Sequence, residues 1–467
     1  MNRRGLLKAT IGSLALLSLS GLRTLAQKLR LVSDYSGLTE IEVAAELHPT
    51  ETSEVGSAVA KWAGPISIGG GRFSMGGQVA SANSLHLDMR SMNRIIKIDS
   101  ETQTARVQAG VTWRDLQEAI DKFDMSVSIM QSYSNFTVGG SVSVNCHGRY
   151  LGKGPIINSV RALQLVLSNG EVLELTPVDE LFCAVVGGYG GLGVITEVEL
   201  SLDRNQRIRR VVEKVDLSDY PSYFHSNIEK KPEILLHNAD LRPPGFNKPR
   251  MVSWTVTNDE TTVPERLIPH DLKYRANPFV LWAVSEIPGG KMLRRGIEDK
   301  IYEEDVVVWR NYEASLDTDS LEPANRRFST YLLQEYFIPV EKFEQFVESM
   351  TSILKKHRVN ALNISVRHSP RDTKSLLSWA PVDVFSFVLY YKQGRSKRAH
   401  RAAEKWTQEA IDLVLANSGR YYLPYRLHAS QDQFERAYPE SKQFIELKRK
   451  FDPTAKFSNL LWDKYLT

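Results

Sequence analysis

Ile66-Ser-Ile-Gly-Gly-Gly-Arg-Phe-Ser-Met-Gly-Gly-Gln78 and Thr137-Val-Gly-Gly-Ser-Val-Ser-Val-Asn-Cys-His-Gly148 decide how the first half of this chain folds. Each offers a series of backbone N–H groups with little side-chain bulk in the way, and consecutive amides in such turns form anion-binding concavities. A third cluster follows at Gly187-Gly-Tyr-Gly-Gly-Leu-Gly193. Three such loops predict a long, anionic, aromatic cofactor lying across the protein.

Between the loops, Ile66–Ile68, Ile95–Ile98, Ala105–Ala109, Val160–Leu167 and Val194–Leu200 read as strands. Trp113–Lys122 reads as a helix with Thr112 as its N-cap. Gly188-Tyr-Gly-Gly-Leu-Gly193 satisfies the dinucleotide pattern G-x-G-x-x-G, which needs a strand before the loop and a helix after it. Here Glu180–Val186 reads as helix before it and Val194–Leu200 as strand after it, so the nicotinamide reading is rejected. From about Asp203 the character changes. Strands Ile208–Val215 and Met251–Val256 and a helix over Pro339–His357 suggest a sheet with helices on one face.

In order and content the first half resembles the FAD-binding domain of the vanillyl-alcohol-oxidase, or PCMH-type, flavoproteins. The resemblance rests on Gly69-Gly-Gly-Arg-Phe-Ser74, Gly77-Gln78, Val107-Gln-Ala-Gly-Val111, Thr137-Val-Gly-Gly140, His147-Gly148, Val160-Arg-Ala-Leu163, Ser168-Asn-Gly-Glu171 and Gly190-Gly-Leu-Gly-Val-Ile-Thr196. The tail Phe444–Pro453, followed by Phe457-Ser-Asn459, looks like the family's C-terminal return to the flavin. The implied fold is α+β: a two-subdomain FAD-binding domain over 27–205, an α+β substrate (cap) domain over 206–419, and a return segment over 420–467. By resemblance, Gly69, Gly70, Gly71, Arg72, Phe73, Ser74 and Gln78 wrap the pyrophosphate, with Arg72 offsetting phosphate charge or remaining a solvated loop arginine. Val138, Gly139, Gly140, Asn145, Cys146, His147 and Gly148 run along the isoalloxazine and ribityl side. Gly193 is a further cofactor-binding residue, Ile195 meets the adenine through strand backbone groups, and Tyr422 and Asn459 contact the flavin from the return segment.

Departures from the family pattern carry information. Many relatives place a histidine before the first loop's serine and bond it to the flavin; here that position is Phe73, which has no nucleophilic atom. Residues 130–136 lack the cysteine used by doubly linked relatives, so FAD is expected to be held non-covalently. Leu333–Pro339, Asn363–His368 and Tyr421–His428 resemble pocket-lining stretches of the aldonolactone, alditol and decaprenylphosphoryl-ribose oxidising branches. Strand alternation groups Leu333, Glu335 and Phe337 on one face. Glu335 among apolar neighbours is expected to have a raised pKa and to serve as base or hydrogen-bond acceptor; the plainer reading is a salt-bridged strand glutamate. Polyol oxidases carry Glu-x-Arg where this chain has Ser365 and Arg367, and the lipid-sugar enzymes carry lysine where Tyr425 aligns. Glu335, Arg367 and Tyr425 are the catalytic candidates.

Arg3-Arg4-Gly-Leu-Leu-Lys8, an apolar run to about Leu22 and Thr24-Leu-Ala26 read as a twin-arginine signal peptide over 1–26, implying a periplasmic or extracellular protein. The alternative is an uncleaved anchor, but the run is short of the roughly 20 apolar residues a span needs. The leader holds four of the 59 basic residues and no acid, so the remaining 55 balance 55 acids. That balance leaves no basic stripe for nucleic acid. Cys146 and Cys183 read as unpaired, and no Cys/His spacing suggests a metal. The expected activity is hydride removal from a hydroxylated carbon of a sugar, lactone, polyol or related alcohol, with electrons passed to oxygen or a redox carrier. A soluble monomer or homodimer is the default. An amine-oxidising enzyme of the cytokinin-dehydrogenase type and a non-catalytic flavin-containing binding protein remain the alternatives.

Overall fold

The computed structural model describes residues 30–270, 284–287, 289–318 and 326–466; the leader read over 1–26 lies outside them. A three-stranded parallel sheet, in the order Ala45–Leu47, Leu85–Asp88, Ile66–Gly69, forms the first subdomain, with Val55 and Val59 of helix Thr52–Lys61 in its core. A larger antiparallel sheet forms the second, in the order Val172–Leu175, Val160–Val166, Val194–Arg204, Thr104–Gln108, Ile95–Asp99. Val194–Arg204 is its spine, and Met125–Val127 pairs with its far end. Val198, Leu200 and Leu202 point inward from it while the residues between are half-exposed, the period-2 signature of one covered face.

Helix Trp113–Asp121 begins as the sequence predicts. The Thr112 hydroxyl accepts from Asp115 N–H at 3.1 Å and the Asp115 carboxylate accepts from Thr112 N–H at 3.2 Å, a complete capping box. Thr112→Ala is expected to cost about 1 kcal/mol, read as a lower denaturation midpoint with an unchanged slope.

The cap is an eight-stranded sheet in the order Val307–Trp309, Arg207–Lys214, Arg250–Val256, Ile234–Leu241, Asn360–Ser369, Val384–Gly394, Ser329–Pro339, Arg420–Tyr421. Helices Phe343–Lys356 and Lys397–Ala416 pack on each other and on this sheet, burying Phe346, Met350, Trp406 and Ile411. The helix expected from Pro339 starts later. Pro339 is still paired with Val384 in extended backbone, and a single tight turn, Val340–Lys342, separates strand from helix.

After Arg420–Tyr421 leaves the cap sheet, the chain crosses back. Ile66 N–H donates to Lys456 C=O at 2.6 Å and Ser458 N–H to Ile66 C=O at 2.9 Å, adding the tail to the edge of the parallel sheet. Buried Lys448 fastens the junction, donating to Gly191 C=O, Phe457 C=O and the Asp452 carboxylate at 2.7–2.8 Å. No helix among the described residues is long and apolar enough to cross a membrane.

Candidate active site

All three glycine clusters open onto one cleft of about 1790 Å³, its mouth included, which the cap closes from the other side with Tyr331, Leu333, Glu335, Arg367 and Tyr390. In the first loop, Gly71 N–H donates to Thr137 Oγ1 at 3.2 Å, and Arg72 takes a left-handed backbone at φ 61°. Among the described residues the next three amides, of Arg72, Phe73 and Ser74, meet no acceptor. Successive free N–H groups around a left-handed residue form a nest for an anion. Gly70 packs so tightly that a Cβ there would sit 2.3 Å from Thr137 Oγ1. These residues fit a bound pyrophosphate.

Two features of the expected cofactor set change. The Arg72 guanidinium is turned away to Asp88 at 2.9 Å and Glu46 at 2.8 Å, so it is not free to offset phosphate charge; its backbone, not its charge, shapes the nest. Gly69, Val138, Asn145, Gly148 and Asn459 do not line the cleft but brace it from behind. A Cβ on Gly69 would strike the His86 ring at 2.7 Å, and one on Gly148 would strike Met130 C=O at 2.1 Å. Val138 is wholly buried, and Asn459 caps the last helix while donating to Tyr189 C=O. Asn145 donates to Ser375 Oγ at 3.1 Å, and Trp379 Nε1 donates to Asn145 C=O at 2.9 Å, which ties the second loop to the cap.

Gly70, Gly71, Arg72, Phe73, Ser74, Gln78, Gly139, Gly140, Cys146, His147, Gly193, Ile195 and Tyr422 do line the cleft. Gln78 bonds Leu423 C=O and Tyr425 C=O at 2.6 and 2.8 Å, so the first loop is held by the return segment. Phe73 packs at a tilt between Tyr35 and Phe136, with ring centroids 5.1 and 4.4 Å away. Cys146 and Cys183 are unpaired, and burial pushes the Cys146 thiol up.

At the cap side three predicted residues converge. His147 Nε2 is 2.6 Å from Glu335 Oε1, and Tyr425 donates its hydroxyl to Glu335 Oε2 at 3.3 Å. The Tyr422 hydroxyl donates to Val144 C=O at 2.8 Å. Trp379, which carries no motif in the sequence, packs 4.7 Å from the His147 ring, and Phe337 stacks on Trp379 at 4.4 Å. Arg367 makes no hydrogen bond or ion pair within 4.0 Å among the described residues, and its Nε is buried without a partner.

Glu335 is buried, but its pKa lies below the usual carboxylate range, not above it as its apolar strand predicts. Burial pushes it up; the charge and hydrogen bond of His147, the charge of Arg367 and the bond from Tyr425 together outweigh burial. Burial likewise holds Arg367 below its ordinary value, with the Glu335 charge opposing, and lifts the Tyr425 phenol well above its own. Glu335 is therefore a buried carboxylate held ionised by its neighbours. The His/carboxylate groups Glu46–His48–Asp88 and Glu229–His368–Asp383 lie outside this cleft, and Arg72 and Arg90 already pair with Asp88.

Residues 43–176 match the family model of the FAD binding domain, and residues 301–466 match that of D-arabinono-1,4-lactone oxidase. The chain is 25% identical to decaprenylphosphoryl-beta-D-ribose oxidase of Mycolicibacterium smegmatis, over 91% of this chain and 95% of that protein. It is 23% identical to L-gulonolactone oxidase of Bos taurus, over 85% of this chain and 88% of the relative. Alditol oxidase of Streptomyces matches a shorter part, 27% identical over 34% of this chain and 39% of the relative. With an anion nest, a cleft closed by the cap and matches to both of its domains, the chain belongs to the PCMH-type FAD-binding oxidoreductases, FAD-dependent oxidases or dehydrogenases acting on CH–OH groups.

Proposed function

We propose that this protein removes a hydride from a hydroxylated carbon of a sugar, lactone or polyol, with Glu335 as the proton acceptor. The observation that carries the reading is the buried Glu335 carboxyl in the cleft wall, 2.6 Å from His147 Nε2 and accepting from the Tyr425 hydroxyl at 3.3 Å. Bound FAD supplies the two-electron acceptor. Glu335 takes the substrate hydroxyl proton, and the 2.6 Å bond to His147 fixes the carboxylate's orientation. Arg367, without a carboxylate on its own strand because Ser365 stands where polyol oxidases have glutamate, is left to bind a substrate oxygen. Anaerobic titration of the holoprotein with sugars, lactones and polyols tests this: a member of the panel should bleach the flavin, and bleaching by none would defeat it.

FAD is held without a covalent bond in this proposal, because Phe73 offers only a hydrocarbon ring where relatives present histidine. Acid precipitation of the yellow protein is expected to release the flavin to the supernatant; colour retained in the pellet would turn attention to His147. Gly70→Val is expected to weaken FAD by about 1–3 kcal/mol, since the added bulk must displace Thr137. Competition of apoprotein for free FAD measures it. Export by the twin-arginine route to the periplasm or beyond rests on Arg3-Arg4 and the short apolar run after them. Reduced enzyme then delivers electrons to oxygen or to a carrier outside the cytoplasm, the protein acting as a monomer or homodimer.

A further inference from the structure

The His147 imidazole meets Glu335 at 2.6 Å, and among the described residues that is the ring's only hydrogen bond. One bond fixes a distance but leaves the ring free to turn about it, so its plane is set by what packs against it. Three buried aromatic rings do so, with centroids 4.7 Å away for Trp379, 5.6 Å for Phe337 and 6.0 Å for Tyr422. Phe337 stands two residues beyond Glu335 on the same strand, and Tyr422 N–H donates to Glu335 C=O at 3.0 Å. Trp379, the nearest of the three, comes from neither segment. It stands in the loop over 370–383, between strands Asn360–Ser369 and Val384–Gly394.

That loop is docked on the flavin-binding domain. Leu376 N–H donates to Cys183 C=O at 2.9 Å, and Asn145 Nδ2 donates to Ser375 Oγ at 3.1 Å. Asp372 N–H donates to Ala380 C=O at 2.8 Å and closes the loop on itself. The indole is held from two directions, by its 2.9 Å bond to Asn145 C=O and by Phe337 stacked at 4.4 Å. Asn145 lies two residues before His147, so one side chain grips the second glycine loop by its backbone and by its imidazole. Trp379 does not line the cleft, which leaves it no contact with substrate.

We infer that Trp379 is a positioning residue, whose indole holds the His147 ring in the plane at which Nε2 meets the Glu335 carboxylate. Docking of the cap loop on the second glycine loop then sets the orientation of the proton acceptor. The inference rests on the reading of Glu335 as that acceptor. Glu335 is faced by His147, Arg367 and Tyr425, and the phenols of Tyr189, Tyr422 and Tyr438 feel its charge. Of these the indole meets the rings of His147 and Tyr422, and of that pair only His147 bonds the carboxylate.

The test is anaerobic stopped-flow reduction of the flavin in the holoprotein, followed across pH and driven by the sugar, lactone or polyol that bleaches it. Trp379→Leu and Trp379→Phe are compared, each alone and combined with Glu335→Gln. The flavin spectrum and melting temperature check the fold, and Trp379→Met replaces the leucine variant if that one loses its flavin. Both substitutions remove the bond to Asn145 C=O and should lower the melting temperature, but only leucine also removes the flat ring. Trp379→Leu is expected to slow reduction about 10–100-fold. It should also move the acid limb to higher pH, because a displaced His147 no longer supports the ionised carboxylate. Trp379→Phe should restore most of the rate and the wild-type limb. In the Glu335→Gln background the leucine substitution should cost little more, since the two residues act as a unit. An unmoved limb in Trp379→Leu, an equal displacement in Trp379→Phe, or a full further loss on top of Glu335→Gln overturns the inference and leaves Glu335 in place. A wild-type rate in Glu335→Gln, or a panel that bleaches nothing, brings down the reading of Glu335 and the inference with it.

Discussion

Glu335→Gln is expected to lower kcat by about 10²–10⁴ while FAD remains bound. Glutamine keeps the size of the side chain and an oxygen facing His147, so the His147 ring keeps its place against Phe337 and Trp379. What it removes is the negative charge that accepts the substrate proton. The folded pKa of Glu335 is depressed, so its ionisation contributes stability that is present above the unfolded pKa and lost as pH falls through the folded one. The variant should therefore lose that contribution near neutrality and show less acid dependence of stability. Anaerobic stopped-flow reduction of the flavin reads the chemical step directly. A variant that bleaches at the wild-type rate would remove Glu335 from the reaction.

The glycine loops were legible because their signal is local: free amides and missing side chains are written in consecutive residues. The grouping of Glu335 with Leu333 on one face of its strand was legible for a similar reason, since strand alternation needs only neighbours; that this face lines the cleft was not. Its pKa was not. Burial is readable from an apolar strand, but the groups that overcome it are His147, 188 positions away, and Arg367 on another strand. The ion pairs of Arg72 were illegible for the same reason. Its carboxylate partner Asp88 is brought alongside by the parallel pairing of Gly69 with Asp88, a register that no stretch of sequence records. Trp379 left no trace at all. It reaches His147 from a loop between cap strands, and only the closed domain interface makes it part of the site.

Arg367→Met is the second large effect, an expected loss of about 10²–10³ in kcat/KM. Methionine fills much of the space of the arginine stem, so the test separates charge from packing. Two consequences follow from the one missing charge, and they are distinguishable. The substrate oxygen loses a donor, which raises KM and is partly restored by Arg367→Lys, because lysine supplies charge without the planar fork. Glu335 also loses one of the charges that hold it ionised. Its folded pKa must rise, and because the active form is the carboxylate, the acid limb of the kcat/KM profile moves to higher pH. An arginine that only packed the wall would change the height of that profile without moving its limb. A displaced limb, with His147 and Tyr425 untouched, would show that the basicity of Glu335 is set by a residue on another strand of the same cap sheet.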